Sequence, residues 1–262
     1  MLELENLSGL LNQHGVRHQS LSRVEYKENV FTDGRIYVKQ HDDVHLFKVE
    51  ESVYERVHGM TFSIPSELLL ITRKLGEHFL LTAACIETMF AELIKFHNLT
   101  IEVPQIDLQD RVWQRFASRV QDNSALSDDA KRWVEQCLRQ RLPLELASES
   151  RGLIHTDPHL GNWVKHDQGI ALIDFESVTR GGLAIDAGAL IHALLLKEEV
   201  ALANVVRALY LEYGGSQEAL SQGLWLKNST ALTWCAWSLG EQELLRWKNS
   251  LIPLSYEWDQ TV

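Results

Sequence analysis

Cysteine is scarce in this chain: Cys85, Cys137 and Cys235 are three residues in 262, scattered and odd in number. No C-x-x-C pair or Cys/His cluster occurs, so neither a disulfide framework nor a thiolate metal site is expected, and reduced structural thiols are the default. Positive charge is also short, with 25 Lys and Arg against 36 Asp and Glu and a formal net charge of −11. A nucleic-acid surface normally shows a basic excess, so no nucleic-acid partner is expected. An acidic chain suits a cationic substrate instead. Long apolar runs are missing too: no window approaches the roughly 20 apolar residues of a spanning helix. The start, MLELENLSGLLNQHG, sets acids among its leucines and has no basic leader. A cytoplasmic protein without a membrane partner is therefore expected. Repeats and low-complexity tracts are absent.

What is present is a 45% hydrophobic composition, enough for one large domain or two lobes with a sizeable core. Leucines at 2, 4, 7, 10 and 11 predict a short helix closed by Gly15. From Gln19 the texture turns to strand. Asn29–Thr32, then Asp33-Gly34, then Arg35–Lys39 form a β-hairpin signal, because Asp-Gly accepts the positive φ angles of a tight turn. His45 to His58 is a helix with apolar residues at 46, 49, 53 and 57, stopped by Gly59. Strand-like runs follow at Glu67–Thr72 and His78–Thr82, and together these make five strands. The remainder reads as helix over 85–97, 107–120, 128–142, 184–196, 198–213, 216–226 and 229–249. Ser127 before two aspartates is a sound N-terminal cap for the third of these, and Pro143 closes it.

Residues 153–176, LIHTDPHLGNWVKHDQGIALIDFE, interrupt the helices with a strand, a loop, a second strand, a polar turn and a third strand. Asp157 stands two residues after His155, Asn162 five after Asp157, and Asp174 follows the last strand. Phosphoryl transfer from ATP needs such a set. One carboxylate orients and deprotonates a hydroxyl, while an amide oxygen and a second carboxylate hold Mg²⁺ against the phosphates. The plain alternative is turn chemistry, since an isolated His-x-Asp carries little.

The pattern H-x-D-x-x-x-x-N followed by I-D-F resembles the catalytic core of protein-kinase-like phosphotransferases. The form HTDPHLGN…IDFE is similar to the aminoglycoside phosphotransferase and choline kinase branch, whose usual form is H-G-D-x-H-x-G-N…D-[FW]-[EG]. His155, Asp157, His159, Gly161, Asn162 and Asp174 all match. The resemblance implies an α+β, bilobal kinase-like fold: a small five-stranded antiparallel N-terminal lobe with one helix, and a larger, mainly helical lobe. Residues 1–83 would bind nucleotide, and residues 84–262 would carry catalysis and the acceptor.

The same resemblance implies the roles. Asp157 is the catalytic base, and Asn162 and Asp174 hold Mg²⁺. Lys39, ending the second hairpin strand, clamps the phosphates of ATP. Glu51 pairs with Lys39, with Glu50 and Glu55 as alternatives on the same helix. Thr82 to Ala84 is the hinge, whose backbone holds adenine. Asp186 is a buried carboxylate accepting N–H bonds from the catalytic loop. His155 and His159 are supporting groups rather than zinc ligands. The loop Glu25–Asn29 that should cover the phosphates has no glycine, unlike the protein kinases.

Only eleven residues lie between Asp174 and Asp186, too few for a phosphorylation-controlled loop. A small-molecule hydroxyl acceptor is therefore expected, cationic in kind, such as an aminoglycoside-like antibiotic or an amino-alcohol metabolite. The protein would be a monomer or homodimer. Tryptophans 225, 234, 237, 247 and 258 either line a cation–π pocket or pack the helices. The rival readings are a nucleotide-binding pseudokinase and a compact protein kinase.

Overall fold

Asp33 begins the sheet. Its side chain accepts backbone N–H bonds from Arg35 (2.8 Å), Ile36 (3.0 Å) and Gln19 (2.8 Å), and Gly34 takes the positive φ, 85°, that the turn demands. In the computed structural model, which describes residues 3–25, 29–59, 61–142, 151–167 and 169–260, that hairpin joins β2 (Val30–Thr32) to β3 (Ile36–Gln40). Before it come α1 (Leu4–Gln13) and β1 (Ser22–Arg23). After it come α2 (Val44–His58), β4 (Thr61–Ile64) and β5 (Leu69–Arg73). The strands pair antiparallel in the order β1-β2-β3-β5-β4. Most of the loop expected to cover the phosphates lies outside the described residues.

Alternation along β3 divides its side chains between two faces. Val38 faces a small core shared with Leu7 and Leu11 of α1, Phe31, Ile64, Leu69 and Ile71. Its neighbour Lys39 faces the opposite side, with Leu70, toward α2 and the second lobe. Asp43 caps α2 through His45 N and Leu46 N, and Gly59 ends it at φ 67°.

The expected strand over 78–82 does not form. Five strands are present because β4, over Thr61–Ile64, takes its place. The reason lies in long-range pairing. Glu77 exchanges backbone hydrogen bonds with Lys165 at 3.0 and 2.8 Å, which draws the chain off the sheet after Arg73. A Cβ at Gly76 would meet Lys165 O at 2.2 Å, so only glycine allows the approach. The crossing between lobes is thus the segment 74–78.

The larger lobe continues with α3 (Ala83–His97), α4 (Leu108–Arg115) extended by a π-helical turn over Phe116–Val120, and α5 (Asp128–Arg141), capped by Ser127. Pro143, expected to close α5, lies outside the described residues. Short strands follow: β6 (Gly152–Ile154), β7 (Trp163–His166), β8 (Gly169–Leu172) and β9 (Thr179–Gly181). β7 pairs with β8, and β6 with β9. The chain then runs through α6 (Leu183–Leu195), α7 (Val200–Glu212), α8 (Gln217–Ser238), α9 (Glu241–Asn249) and α10 (Leu251–Gln260). The two helices expected over 216–226 and 229–249 break elsewhere. α8 passes through Asn228, whose side chain binds His192 of α6 at 2.7 Å instead of capping, and the break comes at Gly240, φ 81°.

α6 and α8 cross on glycine. A Cβ at Gly188 would meet Gly223 C and Leu224 N at 2.3 Å, and one at Gly223 would meet Ala184 O at 2.0 Å. Both obstacles are backbone, which cannot rotate away. Gly223→Ala must push the two helices apart, at a cost of about 1–3 kcal/mol. The melting temperature of that variant is expected to fall by several degrees; an unchanged value would show that the contact is dispensable.

Candidate active site

The loop 155–162 is held from below by Asp186, fully buried on α6. Its two carboxylate oxygens accept the N–H groups of His155 (2.8 Å) and Thr156 (2.7 Å). Complete burial pushes this carboxyl up to about 7, against the pull of those two bonds. They pin Thr156 at φ 69°, a conformation that non-glycine residues adopt rarely. His155 is buried and, through desolvation, kept below the ordinary imidazole range. Neutral, its Nε2–H donates to Ile173 O (3.0 Å) while Nδ1 accepts Asp157 N–H (3.3 Å). Asn162 Nδ2 returns to Asp157 O (3.0 Å), and His159 Nδ1 accepts Gly161 N–H (3.0 Å). Both histidines therefore support the loop, as expected from the sequence.

Asp174 leaves β8 at φ 69°. Behind it Phe175 is fully buried, stacked on Phe96 (5.5 Å between centroids) and edge-on to Tyr54 (4.9 Å). The Tyr54 hydroxyl oxygen accepts the Asp174 N–H at 3.2 Å, and His58 Nε2 lies 2.9 Å from Leu172 O. Through these two side chains α2 is fastened to the larger lobe.

Lys39 joins the parts. Its ammonium lies 3.0 Å from Glu50, 2.7 Å from Asp174 and 2.8 Å from Glu176, with 12% of the side chain exposed. Burial alone would depress its pKa, but the three carboxylates outweigh burial and raise it well above ordinary lysine. The partner on α2 is Glu50, not the expected Glu51. Glu50 is buried beside Val49 and Val53, whereas Glu51, one residue and about 100° further round the helix, accepts a hydrogen bond from Ser63 Oγ on β4.

Two cavities meet at these charges. One, of about 220 Å³, lies between the sheet and the β7–β8 hairpin, with Val30, Leu70, Val164 and Ile173 as apolar walls. Its edge is the segment 73–78, and Lys39 and Asp174 stand within it. Thr82 and Ala84 do not line it. Thr82 accepts Cys85 N–H at 3.2 Å and caps α3, because the chain has already crossed between lobes five residues earlier. The hinge expected over 82–84 is therefore displaced to 74–78.

The second cavity, of about 500 Å³, opens beyond Asp157 among α4, α6 and α8. Asp157 is bonded there by Lys227 of α8. Burial alone would raise Asp157, but Lys227 and then His159 outweigh it, so the carboxyl sits below the ordinary range. Arg111 and Arg115 of α4 line the same space. Trp234 and Trp247 line it as well, while Arg119 sits 4.1 Å over Trp237, Arg141 3.9 Å over Trp225 and Arg207 3.7 Å over Trp258. The wall expected to meet a cationic acceptor carries both signs, with Asp157, Asp174 and Glu176 facing Arg111, Arg115 and Lys227.

Sequence reasoning did not find Lys227, Arg111 or Arg115. The two arginines were accessible in principle, since Leu108, Arg111, Val112 and Arg115 share one helical face. Lys227 carries no local signal.

Metal fit rests on the donor set. One oxygen each from Glu50, Asp174 and Glu176 lie within 4.8 Å of one another. Three carboxylates around one ammonium leave negative charge uncompensated. Asn162 is buried beside Asp157, and with its Nδ2 committed to Asp157 O its Oδ1 is the atom it could offer a metal. Hard oxygens with spare negative charge suit Mg²⁺.

Asp186→Asn would place an amide N–H₂ against one of the two N–H donors it now accepts. A loss of about 1–3 kcal/mol is expected, read by thermal or denaturant unfolding; unchanged stability would contradict the anchoring role.

No curated protein sequence matches the chain. Among solved structures, choline kinase LicA from Streptococcus pneumoniae superposes with a TM-score of 0.68 at 11% identity, covering 98% of this chain and 99% of that one. A choline/ethanolamine kinase family protein from Mesorhizobium loti gives 0.65 at 14%, covering 99% and 93%. An aminoglycoside phosphotransferase from Streptomyces rimosus, in complex with ADP and streptomycin, gives 0.61 at 16%, covering 88% and 99%. These likenesses establish the bilobal kinase-like fold. The model of the phosphotransferase enzyme family matches residues 44–219, from α2 through the catalytic loop and into α8. With well over half its length matched, the chain belongs to the phosphotransferase enzyme family, as a small-molecule kinase.

Proposed function

We propose that this protein transfers the γ-phosphate of ATP to a hydroxyl of a small molecule, with nucleotide held between the small lobe and the β7–β8 hairpin and the larger lobe carrying catalysis and the acceptor. The observation that carries the reading is the Lys39 ammonium, bound by Glu50 from the small lobe and Asp174 from the large one, at the edge of a cavity with apolar walls between the lobes. The apolar walls Val30, Leu70, Val164 and Ile173 suit a purine ring, and the backbone of 74–78 offers its hydrogen bonds. ADP in the Streptomyces rimosus complex is consistent with an adenine nucleotide.

In the reaction, Asp157 orients the acceptor hydroxyl and takes its proton. The hydroxyl oxygen forms a bond to the γ-phosphorus as the bond to the β–γ bridging oxygen breaks, and ADP departs. Lys39 neutralises phosphate charge, and Glu50 fixes its position. Mg²⁺, held by Asp174 and Asn162, would supply further charge neutralisation across the phosphates. Lys227 keeps Asp157 ionised and ready to accept the proton. Among the described residues no helix is long and apolar enough to cross a membrane. A pseudokinase reading has less support, because Lys39, Asp157, Asn162 and Asp174 are all present and brought together.

Asp157→Asn keeps the shape and removes the base. Acceptor-dependent ADP release from Mg–ATP is expected to fall at least roughly 100-fold, with nucleotide affinity retained. Turnover at the level of the unsubstituted protein would remove Asp157 from the mechanism.

A further inference from the structure

The cavity beyond Asp157 is lined by three cations, Arg111, Arg115 and Lys227, and three carboxylates, Asp157, Asp174 and Glu176, but they are unevenly paired. Arg111 and Arg115 stand one helical turn apart on the face of α4 that lines it, both half-buried. Like charges at this spacing repel, and half-burying a guanidinium removes water that it would otherwise bind. Neither guanidinium makes a hydrogen bond or ion pair among the described residues, and Asp157 attracts Arg115 only at longer range. The carboxylates nearby are engaged: Asp157 by Lys227, and Asp174 and Glu176 by Lys39. His192, on the α6 side, is held neutral by burial and adds no charge to the cavity. Two guanidinium groups thus stand together on one wall of this cavity, beside its reacting carboxylate.

We propose that the acceptor carries an anionic group, a carboxylate or a phosphate, seated on Arg111 and Arg115 while its hydroxyl meets Asp157. The inference rests on the phosphotransferase reading and names the class of its substrate. Guanidinium donors match both anions in a bidentate fork, which a lone ammonium cannot provide. Trp234, Trp247 and Leu226 give the same cavity an apolar wall for the carbon skeleton. Its volume, about 500 Å³, admits a small metabolite. Binding of the anion also offers Lys227 a second negative partner, so that Asp157 can turn to the hydroxyl. Arg115 acts here as an acceptor-binding residue, and nucleotide affinity separates this role from one on the γ-phosphate.

The test uses the full chain saturated with Mg–ADP, titrated calorimetrically with matched compounds. Glycerate and glycerol 3-phosphate are compared with glycerol, and glucose 6-phosphate and gluconate with glucose. Choline and ethanolamine are the cationic arm. The same compounds are then offered as acceptors with Mg–ATP. Binding is expected for charged anions and absent for their neutral parents, and the carboxylate and phosphate arms tell which anion is meant. Arg111→Gln and Arg115→Gln should each weaken that binding roughly 10- to 100-fold, while affinity for Mg²⁺ with a non-hydrolysable ATP analogue, which carries the γ-phosphate that ADP lacks, stays within about twofold in the same variants. Preferred binding or turnover of choline, ethanolamine or a neutral alcohol would overturn the proposal. So would binding of none of the anions, or anion binding that both variants preserve, or variants that lose the non-hydrolysable ATP analogue instead. Anion binding through the two arginines with no ADP release would uphold the anion site and overturn the phosphotransfer reading.

Discussion

One buried ammonium ties the two lobes together. Lys39 reaches from the middle of the sheet to Glu50 on α2 and to Asp174 and Glu176 at the end of the β7–β8 hairpin. Removing the ammonium would leave three carboxylates facing one another without their cation, which costs far more than a surface ion pair is worth. The position of Lys39 depends in turn on ordinary packing. Val38 beside it is locked under α1, so strand alternation has one way to aim the lysine. Tyr54 and His58 then hold α2 against the same hairpin that supplies Asp174, so the lobes meet at a fixed geometry rather than across a loose linker.

The catalytic loop is organised by a second buried charge. Asp186 grips two successive N–H groups, His155 bridges to Ile173, and Asn162 closes the loop on Asp157 O. Asp186 sits on α6, which is pressed on α8 through Gly188 and Gly223, and α8 also carries Lys227. Asp157 and its cationic partner are therefore set by a single helix crossing. Stored backbone strain at Thr156 and Asp174 is tolerated because these contacts over-determine both residues.

Much of this was legible in the sequence, and the exceptions share a cause. The catalytic stretch is local: its groups lie within about twenty residues, and each spacing follows from a strand or a turn. Lys39 was legible because Asp33-Gly34 fixes the hairpin and hence the strand's end. Glu50 was misread as Glu51 because adjacent helical residues differ by only one step in sequence yet point about 100° apart. The hinge was misplaced because Glu77 pairs with Lys165, a bond between distant segments that no local pattern announces. The break expected inside α8 failed for a similar reason, since Asn228 spends its side chain on His192 of another helix. Lys227 meets Asp157 across seventy residues, and only the fold brings them together.

The central claim is that Lys39, set by Glu50 and Asp174, is the nucleotide-phosphate clamp. Calorimetric titration of Lys39→Met with Mg²⁺ and a non-hydrolysable ATP analogue tests it directly. At least a tenfold loss of affinity relative to the unsubstituted chain is predicted, on the order of one charge-assisted contact. Equal affinity in the two proteins would contradict the account.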